Sequence, residues 1–208
     1  ACPLPQERVR RLRDALGEAL RIDPRHADSW FYLGLALQAQ GDKAHALDAF
    51  AKATEFDPKH AEAYRAKGRL LSELDQFEEA VHSFDAALAI EPRDSEAWFR
   101  RGTALDLLGR QDDAIASLDK ALGLRQDFAE AWAARGLSLR NAGRFEESAE
   151  AYTKSLEIKP DQAAAWSQKG FALYQIGLYD EAVACYDKVN AIDPNDFEAW
   201  SNKGILLY

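Results

Sequence analysis

Cysteine is scarce in this sequence of 208 residues, and long apolar segments are absent. The two cysteines, Cys2 and Cys185, lie near opposite ends of the chain and form no Cys-x-x-Cys pair, so we expect neither a disulfide framework nor a thiolate metal site. No run of about 18 apolar residues occurs, and we therefore expect no membrane-spanning helix. Residues 1–13 lack a basic stretch followed by an apolar one, so no signal peptide is expected.

Basic residues are also in the minority. Lysine and arginine together number 26 against 35 aspartates and glutamates, which gives a net charge of -9. A nucleic-acid-binding surface normally has a basic excess, so this balance disfavours DNA or RNA binding. Hydrophobic residues make up 47% and charged residues 29%, a composition that excludes disordered and low-complexity classes. The residues do not specify a cellular compartment, although the cytoplasm is favoured.

Three residue types recur at one spacing. Tryptophan occurs at intervals of 34 residues or twice that number, at Trp30, Trp98, Trp132, Trp166 and Trp200, with Tyr64 in the vacant place. Glycine recurs every 34 residues at Gly34, Gly68, Gly102, Gly136, Gly170 and Gly204. Proline follows the same interval at Pro24, Pro58, Pro92, Pro160 and Pro194, with Gln126 in the missing place. The chain is therefore a tandem repeat with a period of 34 residues.

The repeat frame divides the chain into five complete units and two partial ones. With the aromatic residue at position 4, the complete units are 27–60, 61–94, 95–128, 129–162 and 163–196. Residues 1–26 match the second half of a unit, and residues 197–208 match the first half. We expect either a fragment of a longer repeat array or a chain whose two half-units pair head-to-tail with those of neighbouring copies.

The spacing of apolar residues within a unit predicts two helices. Positions 4, 8 and 11, and then positions 20, 24 and 27, follow one another in steps of three and four, which is the helical period. Between the two groups stands a glycine that ends the first helix, at Gly41, Gly109, Gly143 and Gly177, with Asp75 in the second unit. Proline at position 32 ends the second helix. Each unit is therefore expected to form two antiparallel helices.

This pattern of tryptophan, glycine and leucine, then alanine, an aromatic residue, alanine and proline, resembles the tetratricopeptide repeat family. The resemblance covers residues 27–196 and implies an all-α fold, a right-handed solenoid of antiparallel helix pairs. One position departs from the family. Position 7, usually leucine, is basic at Lys67, Arg101, Arg135, Lys169 and Lys203. The aliphatic stems of these side chains can still cover apolar surface, so the expected fold is unchanged.

The resemblance also implies where a ligand would bind. Members of the family hold peptide segments in the concave channel that the first helices of the units line. The residues of this chain at those positions form the candidate groove: Phe31, Tyr32, Leu35, Arg65, Arg69, Phe99, Arg100, Thr103, Leu137, Arg140, Gln168, Phe171 and Tyr174. Two specialised grooves of the family, the lysine and asparagine clamp of chaperone co-factors and the asparagine ladder of glycosyltransferase-linked repeats, are not matched.

The candidate groove has two halves of different character. In the N-terminal half, Arg65, Arg69 and Arg100 lie among aromatic residues, and three converging guanidinium groups favour a carboxylate or phosphate as guest. The alternative is that these arginines pair with acidic neighbours, namely Glu62, Glu96 or Asp106. The C-terminal half is apolar and suits a hydrophobic stretch of peptide.

The chain shows no catalytic motif. The four histidines, His26, His45, His60 and His82, form no His-Glu-x-x-His pattern, and no glycine-rich phosphate loop, nucleophile elbow or paired catalytic carboxylate is found. We therefore predict no enzyme activity, no cofactor and no metal site.

The predicted function is a scaffold that binds a peptide segment of a protein partner. The candidate partners include proteins whose bound segment is acidic. Alternatives are a regulatory or targeting arm of a larger enzyme or secretion or assembly protein, and a head-to-tail self-associating module.

One joint of the array departs from the pattern. The end of the third unit gains Gly123 and has Gln126 in place of proline, and the fourth unit has Ser148 and Ser155 where alanine is usual. Because a glycine inside a helix costs about 1 kcal/mol relative to alanine, we expect a locally weaker segment at residues 118–128.

Overall fold

A computed structural model describes residues 6–208, and Cys2 therefore lies outside the described residues. This part of the chain contains twelve α-helices and no strand. The helices are α1 (Gln6–Ile22), α2 (Ala27–Ala39), α3 (Lys43–Phe56), α4 (Ala61–Ser72), α5 (Phe77–Ile90), α6 (Ser95–Leu107), α7 (Gln111–Leu124), α8 (Ala129–Asn141), α9 (Phe145–Ile158), α10 (Ala163–Gln175), α11 (Tyr179–Ile192) and α12 (Phe197–Leu206). No helix within residues 6–208 is long and apolar enough to cross a membrane.

The chain forms two compact units, residues 1–100 and residues 101–208. In the first unit, α2 packs on α3 and α4 packs on α5, around a core that includes Phe50 and Leu70. In the second unit, α8 packs on α9 and α10 packs on α11, and one core cluster contains Leu173, Cys185 and Tyr186. Burial raises the pKa of the Cys185 thiol to about 11, so this cysteine is a small packing residue.

The turn inside each pair depends on a left-handed residue. Gly41, Gly109, Gly143 and Gly177 have φ between 73° and 82°, and Asp75 takes the same role with φ 57°. The next residue then donates its N–H back to the leucine carbonyl at repeat position 11, as from Asp42 to Leu37 at 3.0 Å. This bond satisfies a carbonyl that the end of the helix leaves free. The turn residue therefore decides where the first helix of each pair stops.

The glycine at repeat position 8 lets the two helices of a pair approach closely. A Cβ atom built at Gly34 would lie 2.6 Å from the Phe50 ring, and one at Gly136 would lie 2.9 Å from the Tyr152 ring. Real Cβ atoms do not approach other atoms so closely, so no larger residue fits. The period of glycine and the period of the bulky residue at position 24 thus have one cause, which is this contact.

The tryptophan of each repeat makes the same hydrogen bond to the preceding turn. Each tryptophan Nε1 donates to the carbonyl of the residue six positions earlier: Trp30 to Pro24 at 2.8 Å, Trp98 to Pro92 at 3.0 Å, Trp132 to Gln126 at 2.9 Å, Trp166 to Pro160 at 2.8 Å and Trp200 to Pro194 at 3.0 Å. The acceptor is a backbone oxygen, so the bond survives where Gln126 replaces proline. Helix α7 runs unbroken through Gly123.

Candidate functional site

The first unit contains a cavity of about 470 Å³ along the helices that begin its repeats. Six of the candidate groove residues line it: Phe31, Tyr32, Leu35, Arg65, Arg69 and Arg100. They come from α2, α4 and α6, at positions that place them on one side of each helix. The structure therefore brings together the aromatic and basic residues of the N-terminal half of the candidate groove. Phe99 is half-buried on α6 and does not line this cavity.

Aromatic side chains form one wall of the cavity. Phe31 is buried, and its ring lies 4.8 Å from the His60 ring and 6.0 Å from the Phe50 ring, measured between centroids. His60 is itself held in place, because its Nδ1 accepts the N–H of Ala63 at the start of α4. Tyr32 lies 5.3 Å from Phe31 and is about half exposed, at 51%. The wall therefore offers a fixed ring with an accessible one beside it.

Arg65 is held by carboxylates rather than left open. Its guanidinium lies 2.5 Å from Asp94, 2.9 Å from Glu91 and 3.6 Å from Glu62. Asp94 has a second role, because its other oxygen accepts the N–H groups of Glu96 and Ala97 and so caps α6. Burial acts to raise the pKa of Asp94, but the hydrogen bonds from Arg65 and these N–H groups outweigh it, and the pKa lies below its ordinary value.

The other two arginines differ from each other. Arg100 forms an ion pair with Glu96 at 2.7 Å. Arg69 is exposed on α4 and makes no ion pair with the rest of residues 6–208 that the structure describes. Arg65 and Arg100 are thus paired with acidic neighbours, and Asp106 instead accepts a hydrogen bond from Asn141 in the second unit. Of the three arginines that line this cavity, Arg69 is therefore the one that forms no ion pair with the described residues.

In the second unit, the candidate groove residues lie in two shallower depressions. Leu137 and Gln168 line a cavity of about 270 Å³ between α8 and α10, and Phe171 and Tyr174 line one of about 160 Å³ between α10 and α12. Arg140 links the two, because it donates to the Gln168 side chain at 2.5 Å and lies 5.6 Å from the Phe171 ring centroid. Most residues that line the two depressions are apolar or aromatic, and the polar ones are Gln162, Gln168 and Asn202. Thr103 is half-buried on α6 and lines neither depression.

Three of the four histidines make local contacts at the starts of helices. His26 and His60 accept backbone N–H bonds at the starts of α2 and α4, and His45 pairs with Asp42 at 2.8 Å. Within the described residues, no three His, Cys, Asp or Glu side chains are arranged to hold a metal ion.

Sequence reasoning missed two features. Asp94, which holds Arg65, could have been found, since an aspartate immediately before a helical period is a capping signal. The second is a groove of about 620 Å³ between α9 and α11 with α10 as its floor. It lies on the opposite side of α10 from Phe171 and Tyr174, and none of the candidate groove residues lines it. No repeated residue signals this groove, because it results from departures in a single unit.

The helix pairs and their turns define the class of the molecule, an all-α helical-repeat protein. Three family models described as Tetratricopeptide repeat match the chain, one at residues 65–129 and 112–163, one at residues 139–203 and one at residues 27–60. The chain belongs to the tetratricopeptide repeat family, whose fold is that of protein-interaction scaffolds. No curated protein sequence matches the chain.

Solved structures share this fold. YrrB, described as a TPR protein with an unusual peptide-binding site, is 24% identical with a TM-score of 0.82, over 92% of this chain and 99% of YrrB. MamA is 25% identical with a TM-score of 0.78, over 83% of this chain and 94% of MamA. MamA 41-end from Desulfovibrio magneticus RS-1 is 20% identical with a TM-score of 0.77, over 82% and 97% of the two chains. These similarities establish an all-α solenoid of tetratricopeptide repeats.

Proposed function

We propose that this chain is a non-enzymatic scaffold that binds a peptide segment of a partner protein along the helices that begin its repeats. The observation that carries the proposal is the cavity of the first unit, in which Arg69 stands without a carboxylate beside the accessible Tyr32 ring. Aromatic rings supply contact area at low cost in side-chain entropy, and a guanidinium orients a carboxylate through directed hydrogen bonds. YrrB, which has the same fold, is described as peptide-binding, and this supports the proposal.

The proposed partner segment is acidic where it meets the first unit and apolar where it meets the second. Arg65 and Arg100 are already paired, so one carboxylate, facing Arg69, is the expected polar anchor. Phe171 and Tyr174, which are 37% and 42% exposed, would cover an apolar stretch of the same or another segment.

Affinity capture from source lysate tests this proposal. The unaltered chain is compared with Arg69→Glu and Tyr32→Ala, and with Lys59→Glu as a control that makes the same charge change on an exposed lysine outside the cavity. We expect a partner that the unaltered chain and Lys59→Glu both retain and that Arg69→Glu loses. Circular dichroism confirms that each variant is folded.

Synthetic peptides from the captured partner then locate the segment. Peptides that carry a carboxylate next to an aromatic or aliphatic residue should bind, and Arg69→Glu should weaken this binding by about tenfold or more, the range of a lost charge-assisted bond. If Arg69→Glu and Tyr32→Ala both capture the partner as well as the unaltered chain does, this cavity is excluded as the binding site.

A second candidate is head-to-tail self-association, which the apolar surface of α12 favours. Phe197, Ile205 and Leu207 are 80%, 64% and 67% exposed, and α12 corresponds to the first helix of a repeat whereas α1 corresponds to a second helix. The two helices from different copies would complete one repeat. Light scattering over a concentration series tests this, with Ile205→Asp as the variant that should abolish any growth in mass. A strict monomer at high concentration would remove the proposal.

The remaining candidate is that the chain serves as a regulatory or targeting arm of a larger enzyme or assembly protein. The full reading frame around these residues decides it, since catalysis would then lie in another domain. The peptide-binding proposal for the first unit is the same in either case.

A further inference from the structure

The groove between α9 and α11, here called the α9–α11 groove, is deep because one residue is small. Position 21 of the repeat carries Leu47, Val81, Ile115 and Val183 in the other units and Ala149 in this one. Leu47 and Ile115 each pack against the leucine of the next unit and fill the corresponding space. Ala149 packs in the same position with Leu173 and Cys185 but leaves the space above them empty.

The groove also differs from neighbouring repeats in an ion pair. In those repeats, the basic residue at position 7 pairs with an aspartate at position 25 of the preceding unit. In the second unit, Arg135 of α8 pairs with Asp119 of α7 at 2.6 Å, and Lys203 of α12 pairs with Asp187 of α11 at 2.5 Å. The corresponding residue on α9 is Thr153, whose hydroxyl donates to the carbonyl of Ala149 within its own helix. Within the described residues, Lys169 of α10 therefore does not make the ion pair that Arg135 and Lys203 make, and it lies 5.4 Å from the Trp166 ring. Within the described residues, no ion pair joins α9 to α11 across the groove.

The floor of the α9–α11 groove is apolar and rigid. Ala149, Leu173 and Cys185 are buried, and the half-buried Trp166 is fixed by its hydrogen bond to the Pro160 carbonyl. Such a floor suits one large apolar side chain, because an aromatic ring and packed aliphatic groups lose little freedom when the guest binds.

The α9 rim of the groove is acidic, and Lys169 of α10 lines the same groove. Glu146 and Glu150 lie one helical turn apart, and neither forms an ion pair within the described chain, whereas the adjacent Glu147 pairs with Arg144 at 2.6 Å. Like charges at this spacing repel each other in a helix. On the facing helix, α11, stand Glu181 and Lys188. A cation from a bound molecule would relieve the repulsion at the α9 rim.

We propose that the α9–α11 groove is a second docking site, which takes a protein segment with one large apolar side chain next to basic residues. The apolar side chain would rest on Trp166 and Leu173 over Ala149, and a basic residue would lie between Glu146 and Glu150. This site shares no residue with the cavity of the first unit and has the opposite charge preference. It therefore does not depend on the peptide-binding function proposed for that cavity.

Two synthetic peptides test the proposal directly. One carries a central phenylalanine flanked by lysines, and the other carries the same phenylalanine flanked by glutamates. Binding is measured by fluorescence polarisation and by ¹⁹F spectra of the protein labelled with 5-fluorotryptophan, in which Trp166 is assigned from Trp166→Phe. We expect the lysine-flanked peptide to bind at least about tenfold more tightly and to shift the Trp166 signal but not that of Trp30.

Two variants separate docking in the groove from general attraction to an acidic protein. Ala149→Leu installs the residue that the first repeat carries at this position, fills the floor and leaves the net charge unchanged, so it should abolish the Trp166 shift while the protein stays folded. Glu146→Gln with Glu150→Gln should weaken the lysine-flanked peptide by about tenfold. Arg69→Glu serves as the control and should leave this binding intact. Unchanged binding by Ala149→Leu, or equal binding of both peptides, would overturn the proposal.

Discussion

Asp94 connects the capping of a helix to the position of an arginine in the candidate groove. It accepts the N–H groups of Glu96 and Ala97 at 3.0 Å, and it holds Arg65 at 2.5 Å with its other oxygen. We predict that Asp94→Ala lowers the free energy of unfolding by about 1–3 kcal/mol, because it removes a helix cap and a partner of a half-buried guanidinium. Urea denaturation followed by circular dichroism measures the change.

Glu91→Gln is the matched control for that variant. Glu91 also contacts Arg65, but its side chain is 50% exposed and caps no helix, so its replacement should cost less than about 1 kcal/mol. If Asp94→Ala and Glu91→Gln lower the free energy of unfolding equally, the helix cap and the bond to Arg65 do not add to the stability beyond an exposed ion pair.

The pKa of Asp94 predicts a pH dependence. Because this pKa is below its ordinary value in the folded protein, the charged carboxylate stabilises the fold above the unfolded pKa of about 4, and this contribution is lost as pH falls through the folded value. Asp94→Asn keeps a capping side chain but cannot ionise. We expect the difference in unfolding free energy between the unaltered chain and Asp94→Asn to be full near neutral pH and to shrink below about pH 4. A difference that is independent of pH would contradict the assignment.

At the scale of the helix, two helical glycines in different surroundings should have opposite effects on stability. A Cβ at Gly123 in α7 would meet nothing within 4 Å, whereas one at Gly136 in α8 would lie 2.9 Å from the Tyr152 ring. Gly123→Ala should therefore stabilise the protein by about 0.5–1 kcal/mol, and Gly136→Ala should destabilise it. Thermal unfolding of the two variants provides the measurement, and a loss of stability in Gly123→Ala would show that this glycine has a packing role.

The segment around Gly123, residues 118–128, is also expected to differ from the corresponding segments in hydrogen exchange. Helix α7 is unbroken through Gly123, but glycine lowers the cost of local opening, so amides in residues 118–128 should exchange faster than those at the corresponding joints, 84–94 and 152–162. Exchange measured by mass spectrometry tests this, with Gly123→Ala as the control that should restore protection. Uniform protection of the three joints would count against it.

The two serines of the fourth repeat strengthen the pair of helices in which they lie. The Ser148 hydroxyl donates to the Gly136 carbonyl at 2.7 Å, and the Ser155 hydroxyl donates to the Ala129 carbonyl at 2.9 Å, so both connect α9 to α8. The sequence shows these serines as departures from the repeat, but a substitution pattern does not reveal which acceptor a buried hydroxyl reaches. In this structure the acceptors are backbone oxygens of the facing helix.

At the scale of the whole molecule, the first and second units carry candidate sites with opposite charge preferences. The first-unit cavity presents Arg69, and the α9–α11 groove presents Glu146 and Glu150. Because the two sites share no residue, we predict that the effects of Arg69→Glu and Ala149→Leu on binding are additive when combined. Calorimetric titration of the double variant with each peptide measures this, and a coupling above about 0.5 kcal/mol would show that the sites are not independent.

The fold could be predicted almost entirely from the sequence, because each periodic residue has a local function. The position 8 glycine admits the bulky residue of the facing helix, as Gly34 admits Phe50, and the tryptophan donates to a carbonyl six residues earlier. These contacts join residues of the same or adjacent repeats, so their spacing is visible in the sequence. The members of the candidate groove follow from the same frame, and the structure brings six of them together in one cavity.

Tertiary structure alone decided which of the groove arginines form ion pairs. Three arginines at groove positions look equivalent in the sequence, yet Arg65 is held by Asp94 and Glu91, Arg100 pairs with Glu96, and Arg69 alone among them makes no ion pair within the described residues. The partners of Arg65 come from the turn after α5, and only packing of that turn against α4 brings the charges within reach. Likewise, the α9–α11 groove exists because Ala149 and Thr153 fall opposite Leu173 and Lys169 on neighbouring helices. Periodicity in a sequence determines which contacts repeat, whereas the contacts that do not repeat depend on side chains meeting across helices.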